Sequence, residues 1–90
     1  MTENDVAKQI VDAAYRIHAQ FGPGLLESAY RAMLTHELRK RGLRVECEKA
    51  VPLLYEGVKL DVGYKADLIV EGLVIVELKA VEQTAAVHKR

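Results

Sequence analysis

Cysteine occurs once, at Cys47, so no intramolecular disulfide can form, and neither a disulfide scaffold nor a four-thiolate zinc site can be built. A reducing cytoplasm is the expected setting. Charge of one sign is also lacking: 13 Lys and Arg balance 13 Asp and Glu. That balance removes the strongly basic field of nonspecific nucleic-acid binders and leaves any phosphate binding to local groups. Long apolar runs are missing too. The longest aliphatic stretch, Leu73-Val74-Ile75-Val76, is far short of the roughly 20 residues that span a bilayer, so no membrane role is expected. The acidic, polar start Met1-Thr2-Glu3-Asn4-Asp5 has none of the apolar centre of a secretory signal. With no linker, repeat or low-complexity stretch, residues 1–90 are expected to form one domain. A chain this short buries only about 60 to 65% of its unfolded surface, and association with a second copy is expected.

What is present is a change of period. Val6, Ile10, Ala13, Ala14, Ile17 and Phe21 follow the spacing of one helix face, with Thr2, Asn4 or Asp5 available as cap. Gly22-Pro23-Gly24 interrupts that helix. A second stripe follows at Leu26, Ala29, Tyr30, Met33, Leu34 and Leu38, ending in Arg39-Lys40-Arg41 before Gly42. Those cations suit the negative end of the helix dipole and, with Arg44, read as a solvated cap rather than a phosphate site. Beyond Leu43 the period drops to two. The expected result is an α+β fold: two N-terminal helices, then a three-stranded antiparallel meander of Arg44 to Tyr55, Val58 to Val70 and Leu73 to Ala80. Pro52 makes the first strand irregular. Val81 to Arg90 reads as the start of a third helix.

The chemistry gathers in the last strand. Glu77 and Lys79 share a face with Leu73 and Ile75 near its end. A buried Glu and Lys are costly unless they pair or meet a ligand. Asp67, on the preceding strand with nine residues between it and Glu77, is the natural third member.

The segment Gly24-Leu25-Leu26-Glu27-Ser28-Ala29-Tyr30 resembles the naming motif of the GxxExxY proteins, a branch of the PD-(D/E)XK nuclease superfamily. Tyr64 to Val70 and Val74 to Val81 also look like that family, in the same order. The resemblance implies a restriction-endonuclease-like core: a helix, a three-stranded meander, a helix and a returning strand, with a metal site at the bent centre of the sheet. It implies that Asp67 and Glu77 hold Mg²⁺ (or Mn²⁺), that Glu27 aims at the same site from the helix, and that Lys79 helps activate water. These four are the candidate catalytic residues, and nucleic acid, DNA before RNA, is the implied substrate. Carboxylate oxygens suit a hard cation, and a nearby Lys adds fixed positive charge where phosphate oxygens or hydroxide sit. The sequence departs from this pattern at its end, where the last helix and strand of the core are missing. The domain therefore reads as truncated, and as an enzyme only if the site survives.

Blander roles compete with these. Glu27 in a first helical turn is favoured by the dipole alone, Tyr30 is ordinary core, and Asp67, Glu77 and Lys79 can form a satisfied ion-pair network. His18 and His36 have no partner at zinc spacing. Cys47 reads as a half-buried strand residue. The opposing function is a non-catalytic, oligomerising protein-interaction module built on the same fold, using unpaired sheet edges. An early stop would leave part of the apolar face at Val74, Val76 and Leu78 wet. Strand parity decides whether a site can exist. A two-residue turn at Glu71-Gly72 pairs Val70 with Leu73 and sets Asp67 and Glu77 on opposite faces. A three-residue loop, Val70-Glu71-Gly72 with Gly72 left-handed, pairs Ile69 with Leu73 and puts both carboxylates diagonally on one face, about 5 to 8 Å apart at Cβ. An odd-residue irregularity is therefore expected here.

Overall fold

In the computed structural model, which describes residues 1–60, 64–79 and 84–89, the chain starts with α1 (Glu3–Phe21) and α2 (Glu27–Lys40). Thr2 caps α1: its hydroxyl accepts from the Asp5 N–H at 3.2 Å, while the Asp5 carboxylate accepts from the Thr2 N–H at 3.1 Å. This reciprocal box satisfies two donors that a helix start leaves open, and the Thr2 N–H and hydroxyl, both donating to the Asp5 carboxylate, pull that carboxyl below its ordinary pKa. Gly22, at φ +70°, stops the helix as its N–H turns back to the His18 carbonyl. Val6, Ile10, Ala13 and Ile17 form the buried stripe, facing Tyr30, Leu34 and Leu38 of α2.

The end of α2 departs from the expected solvated cap. The half-buried Arg41 donates to Glu37 at 2.9 Å, to Asp12 at 2.7 Å and to the Gln9 side chain at 2.8 Å, so one guanidinium ties the end of α2 to the middle of α1. Its planar set of donors matches this arrangement in a way a lysine cannot. Arg39 likewise donates to the Val45 carbonyl at 2.8 Å.

Among the described residues six strands follow: β1 (Val45–Ala50), β2 (Leu53–Tyr55), β3 (Val58–Leu60), β4 (Lys65–Val70), β5 (Val74–Lys79) and β6 (Thr84–Lys89). The fold is α+β, but its sheet corrects the simple meander. β1, β4, β5 and β6 form one antiparallel sheet in that order, and β2 with β3 forms a separate hairpin. The expected first and second strands each split, the first at Val51-Pro52, where proline cannot donate to a ladder. Thr84–Lys89, expected to be helical, is a strand paired along β5 from Val74↔Lys89 to Lys79↔Thr84. An unpaired β5 edge would leave a row of amide groups open, and the returning strand satisfies them. The remainder of the expected third helix, Val81 to Gln83 and Arg90, lies outside the described residues.

Both helices pack against one face of the sheet, through Val45, Leu68, Val70, Val74, Val76 and Leu78. The expected wet face is therefore corrected as well: Val74 and Val76 are fully buried and Leu78 is 7% exposed. The two helices supply the cover that a later element was expected to give. Cys47 is exposed rather than half-buried, with its thiol 3.5 Å from the Thr35 hydroxyl. Among the described residues, no helix is long and apolar enough to cross a membrane.

Candidate active site

The β4–β5 turn decides the site, and it contains the odd residue. Val70 pairs with Val74, Ile69 with Ile75 and Leu68 with Val76, leaving a three-residue loop of Glu71, Gly72 and Leu73. Parity follows the expectation, although the loop sits one residue later than Val70-Glu71-Gly72. The reason is local. Glu71 and Gly72 are both left-handed, at φ +55° and +66°, the combination of a type I′ turn. The Leu73 N–H closes that turn on the Val70 carbonyl at 3.0 Å. Glu71 holds this conformation because Arg44 grips it twice: its N–H donates to the Arg44 carbonyl at 2.8 Å, and its carboxylate accepts from the Arg44 N–H at 2.6 Å.

Strand parity in this register places Asp67 and Glu77 on one sheet face, with Ile69 and Ile75 and away from the helices. Both carboxylates are half-buried. In β1 the pairs Cys47↔Leu68 and Lys49↔Ala66 bracket Glu48, whose side chain turns to the helix side of the sheet.

Each carboxylate has its own donor. Glu48, left-handed at φ +49°, reaches Arg31 of α2 at 3.5 Å. Asp67 accepts from the backbone N–H of Leu78 at 2.8 Å. The β4–β5 pairs end at Leu68↔Val76, so beyond that point a side chain rather than the facing backbone takes the β5 amide. Glu77 accepts from the Tyr64 hydroxyl. That bond, with desolvation and the negative charges of Glu77 and Asp67, pushes the Tyr64 phenol above its ordinary pKa, so it stays a protonated donor.

Glu27 is the first residue of α2 and half-buried. Among the described residues no three His, Cys, Asp or Glu side chains form a group able to hold a metal ion. The structure therefore brings together Asp67 and Glu77, and does not join Glu27 to them in such a group. Lys79 ends β5, opposite Thr84; its side chain lies outside the described structure. Tyr30 is core. It is 3% exposed, its hydroxyl donates to the Ala14 carbonyl at 3.5 Å, and burial raises its pKa. The residue that sequence reasoning missed is Tyr64. Its signal was its place three residues before Asp67, but only the fold shows that its hydroxyl turns back to β5.

The family model of the PD-(D/E)XK nuclease superfamily matches residues 4–90, and the chain belongs to that superfamily. Its nuclease-like class thus agrees with two acidic residues on one face of an antiparallel sheet. Comparison with curated proteins and with solved structures returns no match.

Proposed function

We propose that this chain is a metal-dependent phosphodiesterase domain of the GxxExxY branch, with a restriction-endonuclease-like core, hydrolysing nucleic acid (DNA before RNA) in the cytoplasm. The observation that carries this reading is the three-residue turn that sets Asp67 and Glu77 on one face of adjacent strands. The donor set fits a small hard cation, being made of carboxylate oxygens with neither sulfur nor imidazole. Asp67 and Glu77 would hold Mg²⁺ or Mn²⁺. Bound there, the cation supplies Lewis acidity and lowers the pKa of water. Lys79, two residues beyond Glu77 on the same strand, adds fixed positive charge near the phosphate oxygens.

Calorimetric titration with Mn²⁺ tests this. The wild type should bind weakly and stoichiometrically, Glu77→Gln and Asp67→Asn should lose detectable binding, and Lys79→Ala should keep binding while losing cleavage of a labelled duplex. Equal affinity in wild type and Glu77→Gln would overturn the assignment.

A specific observation favours a second reading, association of the domain with a copy of itself. Register in the β2–β3 hairpin pairs Leu53 with Leu60 and Tyr55 with Val58, which puts all four on one face. They are 37 to 66% exposed. A lone two-stranded sheet is marginal in water, and a covering copy would stabilise it.

A further inference from the structure

Asp67 and Glu77 are held in different ways. The Asp67 acceptor bond goes to a backbone amide of β5, so its position follows from the sheet. Glu77 carries a longer side chain with more rotatable bonds, and one donor to it is a side chain from outside the sheet, Tyr64. Tyr64 precedes β4 by one residue and is anchored in turn, its carbonyl accepting from the Val51 N–H at 2.9 Å.

We propose that Tyr64 is a positioning residue: its hydroxyl holds the Glu77 carboxylate in the orientation in which it and Asp67 share one divalent cation. This rests on the reading of Asp67 and Glu77 as the cation ligands. A carboxylate free to rotate must be ordered when a cation arrives, and a hydrogen bond already in place removes most of that cost. Partners of this kind, which touch the ligand residue and not the metal, typically change affinity by about 10 to 100-fold when removed.

The test uses the full chain and two probes. Mn²⁺ calorimetry on Tyr64→Phe should show affinity about tenfold weaker than wild type, with the urea midpoint little changed. Tb³⁺ replaces the divalent ion in the second measurement, because a tyrosine beside the bound lanthanide sensitises its luminescence. Wild type should luminesce on excitation of tyrosine. Tyr64→Phe should lose that emission at Tb³⁺ concentrations where calorimetry still shows binding, and Tyr15→Phe, on the exposed side of α1, should keep it. Retained emission and unchanged Mn²⁺ affinity in Tyr64→Phe, with binding abolished in Glu77→Gln, would overturn the role of Tyr64 and leave the cation site standing. Failure of the wild type to bind either ion would overturn both.

Discussion

Replacing Asp67 by Ala and by Asn separates two duties of one carboxylate. In the native chain Asp67 satisfies the N–H of Leu78 at 2.8 Å, on a residue only 7% exposed. Alanine leaves that amide without its acceptor at the point where the β4–β5 ladder has already ended. An unpaired buried donor costs about 1 to 3 kcal/mol, and each kcal/mol moves Tm by about 4 to 8 °C in a domain of this size. Asp67→Ala should therefore lower Tm by roughly 4 to 24 °C. Asparagine keeps a carbonyl oxygen of the same reach and removes a negative charge from the face shared with Glu77, so Asp67→Asn should stay within about 1 kcal/mol of wild type while losing cation binding. Urea and thermal unfolding followed by circular dichroism, with midpoints and slopes compared, measure both. Equal stability of the Ala and Asn variants would refute the idea that the side chain completes the ladder.

Arg41 holds the Glu37 carboxyl below its ordinary pKa. The stabilisation is thus complete above the unfolded carboxylate value and fades as pH falls through the lower folded value. Arg41→Ala should lower the urea midpoint at neutral pH, with the deficit shrinking in acid; a deficit that did not vary with pH would contradict the assignment. For the hairpin, sedimentation should show wild type associating at micromolar concentration and Tyr55→Ser with Val58→Ser remaining monomeric. A monomeric wild type would remove this reading.

Where one period governed a whole element, the sequence was legible. The stripes of both helices, the Thr2 cap and the stop at Gly42 follow from local chemistry. The shared face of Asp67 and Glu77 needed an odd residue in the turn, which the family resemblance called for and local chemistry alone did not choose. Less legible was whatever depended on a distant partner. Thr84–Lys89 carries residues that suit a helix, and the open edge of β5 makes it a strand. Leu78 looked exposed because the strand was considered without the two helices that lie over it. Arg41 looked like a solvated cation because Asp12 and Gln9 stand far away in sequence. Tyr64 could not be assigned a role from spacing, since its contact crosses between strands by side-chain reach.

Strand order has a consequence for motion. Local opening begins where backbone groups are paired on one side only, and such segments exchange their amide protons first. In the order β1-β4-β5-β6, both outer strands belong to that class, while β4 and β5 each have a neighbour on both sides and pair with each other from Leu68↔Val76 to Val70↔Val74. Asp67 and Glu77 are therefore carried by the innermost pair. Fraying of β6 or β1 need not part β4 from β5, and the bond from the Leu78 N–H to Asp67 ties these two strands beyond the end of their ladder.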